Sequence, residues 1–126
     1  MATMWMTRRL REQREQTPAQ FGTVTIGGER AGVFTRGERR ELVSAAPGGY
    51  AWRPQSGEKV LVVESGGDGD ACVAGVVGGA PPVALGAGEV CVYAPGGAYL
   101  ALRSDGTVEL HGQLVINGIP CVPGGG

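Results

Sequence analysis

Glycine interrupts the second half of this chain so often that no long helix fits there. Residues 86–118, GAGEVCVYAPGGAYLALRSDGTVELHGQLVING, fall into short segments between glycines. These segments alternate apolar and polar residues and carry few charges. A period of two marks half-buried strands, and Gly-based clusters mark the turns between them. Residues 89–93, 98–103, 107–111 and 114–116 are expected strands. Pro95-Gly96-Gly97 supplies one turn, and Asp105-Gly106 is a strong signal for a two-residue hairpin turn. In the third strand Val108 and Leu110 face one way, while Thr107, Glu109 and His111 face the other. Gly112-Gln113 bends the chain, and Asn117-Gly118 turns it again. The tail from Pro120 onward, PCVPGGG, is expected to form neither strand nor helix.

The first half follows a different plan. Residues 4–16 hold good helix formers, with Glu12 and Glu15 placed to pair with nearby arginines. Thr17-Pro18 ends that helix, because a residue before proline avoids helical backbone. Its apolar face is thin, so it is expected to dock on another subunit or another protein. Strands then follow at 21–26, 30–35 and 39–44, with Gly27-Gly28 as the first hairpin turn. Residues 45–57 form a loop rich in Pro and Gly that carries Tyr50 and Trp52. The most apolar strand is 59–64, KVLVVE; the acidic turn SGGDGD and a fifth strand at 72–77 come next. That turn lacks the ligand spacing of a calcium loop. Five short strands with a long loop before the fourth fit a small Greek-key barrel of the OB type, with an SH3-like barrel as the competitor.

Composition narrows the choices. With 126 residues, one domain with an appendage is expected. The 24 glycines have no collagen period, and 42% hydrophobic residues is too many for a disordered chain. Only 18% of residues are charged, which suggests that partner subunits cover part of the surface. The net charge of −1 gives no general case for nucleic acid, although residues 1–59 balance to +4 and residues 60–126 to −5. Cys72, Cys91 and Cys121 are far apart with no CxxC, which argues against a zinc site in one chain and for reduced thiols. Trp5 and Met6 run directly into Arg8 and Arg9, so the start does not read as a signal peptide. No run of about 18 apolar residues suggests a membrane span.

A single ladder at 86–118 has two open edges and too few residues to bury its apolar face. Several chains wound together would supply both edges and core, and threefold intertwining does so with glycine at the close corners. The chain is divided on this basis into an arm (1–19), an OB-like barrel (20–84) and a β-stalk with its tip (85–126).

The chain resembles the baseplate assembly protein V and central spike family of contractile phage tails, including Mu-like spikes. The matching residues begin with Pro47-Gly48-Gly49-Tyr50, Arg53-Pro54 and Gly57-Glu58-Lys59-Val60-Leu61-Val62. Gly67-Asp68, Gly75-Val76-Val77 and Leu85-Gly86-Ala87-Gly88-Glu89-Val90-Cys91-Val92-Tyr93 follow. Leu102, Asp105-Gly106-Thr107-Val108-Glu109-Leu110 and Ile116-Asn117-Gly118 complete the set, so the likeness spans about residues 20–118. It implies a mainly β homotrimer: a short N-terminal helix, a five-stranded OB-like barrel, and a short intertwined stalk of the triple-stranded β-helix or prism kind. The implied role is mechanical, closing the end of the tail tube and helping to pierce the host cell envelope. Assembly would take place in the bacterial cytoplasm, and the mature protein would sit in the virion tail or baseplate.

Under that resemblance the stalk side chains are Val90, Val92, Leu100, Leu102, Val108, Leu110, Leu114 and Ile116. Trp5, Arg8, Arg9, Leu10, Tyr50 and Trp52 are the candidates for docking other hub and tail-tube proteins. A separate tip protein is a further candidate partner. Relatives often hold a metal at the tip through His-x-His, whereas here His111 is followed by Gly112-Gln113. No cofactor or metal is therefore expected, and the threefold-axis candidates are His111 and Cys121. No nucleophile, base and orienting group are suggested together, so the chain is not expected to be an enzyme. The alternative is an OB-type oligonucleotide- or carbohydrate-binding module, which loses binding when Tyr50 or Trp52 is replaced.

Overall fold

A computed structural model describes residues 19–64 and 70–122, with ten β-strands and no helix among them. The helix expected at 4–16, with Trp5, Arg8, Arg9 and Leu10, lies outside the described residues. So does the acidic turn apart from Asp70. The chain divides into two compact units, Met1–Gly78 and Gly79–Gly126.

The first unit is a closed five-stranded barrel, consistent with an OB-like fold. Its strands are β1 (Ala19–Ile26), β2 (Ala31–Phe34), β3 (Glu38–Ser44), β4 (Lys59–Glu64) and β5 (Ala71–Val76). They neighbour one another in the order β1-β2-β3-β5-β4, and β1 closes the ring on β4. Neighbours run antiparallel except β3 and β5, which pair in parallel through Val43 with Cys72 and Ser44 with Val73. Alternate side chains point inward, so Val24, Ala31, Val33, Leu42, Val60, Val62 and Val73 form a dry centre. Branched valines suit this wall, since they pack well on a pleated surface.

Closing so small a barrel needs sharp coiling, and two devices provide it. Extra residues interrupt the pairing of β1 with β2, of β2 with β3 and of β4 with β5. Each bulge bends its strand and adds twist. At the β3 bulge Glu41 takes φ of 60°, a left-handed backbone rare outside glycine. The second device is Gly22, where β1 passes from pairing with β4 to pairing with β2. A Cβ there would lie 2.6 Å from Val33 Cγ1 and 2.9 Å from the Phe34 carbonyl oxygen. Only a residue without a side chain lets the strands approach so closely.

The second unit holds a three-stranded meander, β6 (Val90–Tyr93), β7 (Tyr99–Leu102) and β8 (Val108–His111). A separate hairpin pairs β9 (Leu114–Ile116) with β10 (Ile119–Cys121). Two sequence expectations are corrected here. Asp105-Gly106 does turn the chain, but in a three-residue loop that includes Ser104. Arg103 N donates to the Thr107 carbonyl oxygen at 2.9 Å and Gly106 N to that of Arg103 at 3.1 Å, with φ of 92° at Gly106. The 94–98 loop repeats this pattern, closed by Ala94 N to the Ala98 carbonyl oxygen at 3.2 Å. Both have the hydrogen bonds of a type I turn followed by a left-handed glycine.

The second correction concerns the tail. Pro120 was expected to prevent a strand, yet it lies inside β10, opposite Val115. Asn117 and Gly118 both have positive φ, 51° and 79°, as a two-residue type I′ turn requires. That turn makes Ile116–Ile119 the hydrogen-bonded pair, so the next pair, Val115 with Pro120, has outward-pointing N–H positions. A missing N–H at Pro120 therefore costs the ladder nothing.

Candidate functional site

The register of the meander decides which side chains share a face. Val90, Leu102 and Val108 lie opposite one another across the three strands, and so do Val92, Leu100 and Leu110. These two rows form one wholly apolar face. Most of it is open to solvent: Val108 is 63% exposed and Leu110 62%. All six stalk candidates from this part of the sequence are therefore brought together. Leu114 and Ile116 stand on the β9–β10 hairpin, also exposed. A monomeric protein rarely leaves a contiguous apolar patch of this kind in water. The outer strands β6 and β8 also present unpaired backbone edges within the meander.

The opposite face is different in chemistry and is partly covered. It carries Glu89, Cys91 and Tyr93, then Tyr99, Ala101 and Arg103, then Glu109 and His111. Ala101 is fully buried there. Arg103 acts as its clamp. Its Nε donates to Glu109 Oε1 at 3.0 Å, and its Nη1 donates to the Ala84 carbonyl oxygen at 2.7 Å and to Glu89 Oε1 at 3.1 Å. Glu89 in turn accepts from Gly86 N at 2.8 Å and Ser104 N at 2.9 Å. These backbone N–H groups, with the Arg103 guanidinium behind them, hold the Glu89 carboxyl down to about 2. Glu109 and then Glu89 raise the Arg103 pKa further. Thr107 keeps the Asp105 carboxyl below its ordinary value, and its backbone N–H donates to Asp105 Oδ1 at 2.9 Å. The distinctive stretch LRSDGTVEL is thus a charge-locked hairpin that sets register and leaves its reverse face apolar.

The remaining candidates are spread out. His111 stacks on Tyr99, with ring centroids 5.1 Å apart and planes 12° from parallel. The two rings border a shallow groove of about 340 Å³ with Gln113 and Leu114, which contains no Asp, Glu, Lys or Arg. Cys121 lies on β10 opposite Leu114, half-buried. Cys72 and Cys91 are half-buried rather than enclosed, because each sits on a strand whose own face is only partly covered. Among the described residues no group of three His, Cys, Asp or Glu is placed to hold a metal ion within one chain.

In the barrel the two loop aromatics separate. Trp52 packs against the core as a lid on one end, while Tyr50 stands exposed. Sequence reasoning missed a second exposed aromatic pair, Phe21 and Phe34, on the outer wall of β1 and β2. Phe34 lies opposite Thr23, two residues along β1 from Phe21, and the Lys59 ammonium sits 5.1 Å from the Phe21 ring centroid. The signal was available: Gly22 and Val24 point inward, so Phe21 and Thr23 must point out. A second groove on this unit is lined by Arg30, Glu41, Glu64, Asp70 and Cys72, and its Glu64 carboxylate is bound by Arg39.

No family model matches the chain, and no curated protein matches it.

Proposed function

We propose that the chain is the trimeric central spike or hub of a phage or phage-like tail. In this reading it closes the end of the tail tube and helps to pierce the host cell envelope. The single observation that carries the proposal is the two-row apolar face Val90–Leu102–Val108 and Val92–Leu100–Leu110, which one chain leaves uncovered. Three copies would bury three such faces around one axis and cap the open edges of β6 and β8. Leu114 and Ile116 would continue the same column on the hairpin. The Arg103 clamp supports a load-bearing role, because it holds each meander in register before copies meet. The protein would be a structural component, not an enzyme, and would need no cofactor. Its partners would be two further copies, neighbouring baseplate and tube proteins, and a separate tip protein. It would be assembled in the bacterial cytoplasm and reside in the virion tail.

The test is solution mass by light scattering, without and with mild detergent. A mass of three 12.9 kDa chains that survives detergent is expected. A monomer in both conditions overturns the proposal. The exposed rings of Phe21 and Phe34 beside Lys59 favour a second reading, an OB-type oligonucleotide- or carbohydrate-binding module. That reading requires a monomer to bind single-stranded DNA or a glycan, with loss on Phe21→Ala or Phe34→Ala.

A further inference from the structure

The β9–β10 hairpin differs from the meander in one respect: it is apolar on both faces. Ile116 with Ile119, and Leu114 with Cys121, share one face; Val115 with Pro120 forms the other. Val115 is 54% exposed, Ile119 66%, and Val122 just beyond the strand 86%. No charged side chain occurs from Gly112 to Val122, and the only polar side chains are Gln113 before β9 and Asn117 in the turn.

We infer that this hairpin partitions into the headgroup–acyl boundary of a lipid bilayer. The inference rests on the trimer reading for the number of hairpins presented together. In that reading Leu114 and Ile116 face other copies, and the Val115–Pro120 face remains outside. A second copy therefore covers one face of the hairpin and leaves an apolar one. A docked protein would be met by a polar rim, as interfaces ordinarily have, and this hairpin offers no charge to pair with. A bilayer interface asks for the reverse: apolar side chains on every side and few unpaired backbone donors. Pro120 meets the second demand, since it occupies an outward-pointing N–H position on the β10 edge and has no N–H. Gln113 and Asn117 can stay at headgroup level at the two ends of so short a hairpin. Three weakly partitioning hairpins on one particle then bind together by avidity.

The absence of charge specifies the lipid. Binding to neutral phosphatidylcholine vesicles is expected, and added salt leaves it unchanged, because no counterions are released. Binding through the arginines at positions 8 to 14 would instead need anionic lipid and weaken in salt.

The experiment floats the full-length chain with phosphatidylcholine vesicles at low and high salt, with mass measured in parallel. The expected result is that the trimer floats in both salts. Val115→Asp is expected to keep the trimeric mass and to reduce flotation by about tenfold or more. A trimer that does not float, a Val115→Asp trimer that floats as well as the unaltered chain, or flotation seen only with anionic vesicles at low salt overturns the lipid inference and leaves the trimer standing. A monomeric mass overturns the trimer reading itself, and this inference with it. Should Val115→Asp not fold, Val115→Trp is mixed with brominated-chain phosphatidylcholine. Added fluorescence that is quenched beyond the unaltered chain supports the inference, and unquenched fluorescence overturns it.

Discussion

Arg103 Nη1 lies 3.1 Å from Glu89 Oε1, and the two side chains retain only 16% and 12% of their exposure. This pair joins the 84–89 segment to the β7–β8 hairpin. Because Glu89 titrates near 2 when folded rather than near 4.5, its charge stabilises the folded chain. That contribution is complete above about 4.5 and is lost as pH falls through about 2. Glu89→Gln is predicted to lower the thermal midpoint at pH 7. It should also flatten the acid decline between those two values. Parallel thermal melts of both chains at several pH values test this, and equal acid slopes would refute it.

The apolar face makes a prediction about assembly. Val108→Asp places a charge in the middle of the uncovered row that includes Val90 and Leu102. Since Val108 is exposed in one chain, the substitution should leave the monomer fold intact while converting the trimer to monomers. Removing residues 88–126 should have the same effect on mass and leave a folded barrel. Light scattering with circular dichroism checks both, and a stable trimer from the truncated chain would show that the ladder is not the clamp.

Gly22 carries a prediction about barrel closure. Gly22→Ala would push a methyl group into Val33 and the Phe34 carbonyl. Overpacking of this sort is expected to cost about 1–3 kcal/mol. Urea denaturation of the two chains measures it, and an unchanged midpoint would mean that β1 can shift there without strain.

Glu41 makes a prediction of the opposite sign. Its φ of 60° imposes a left-handed backbone on an exposed side chain. Glu41→Gly removes about 1–2 kcal/mol of steric cost and restores about 0.5–1 kcal/mol of unfolded-chain entropy. A net gain of about 0.5–1 kcal/mol is predicted from the same urea titration, and a loss would mean that the Glu41 side chain contributes contacts of its own.

Much of the fold was legible because its signals are local. Alternation in KVLVVE and VELH, and glycines between runs, are sufficient to mark strands, and the side on which Val90, Val92, Leu102, Val108 and Leu110 fall follows from the period of two. The longer Asp105 loop and the strand at Pro120 were not legible. Both depend on which backbone groups the partner strand leaves paired, and one strand's residue types do not contain that.

The sequence by itself determined the order of strands and turns and the existence of an apolar ladder face, since backbone period and glycine placement are properties of neighbours along the chain. Tertiary structure alone decided that β3 pairs in parallel with β5. It also made Trp52 a lid while Tyr50 stays in solvent, and turned Arg103 toward Ala84, Glu89 and Glu109 together. Those outcomes join residues far apart in the chain. They arise from closure of the barrel and from the need to satisfy a guanidinium that is largely removed from water, and both are settled only when distant segments meet.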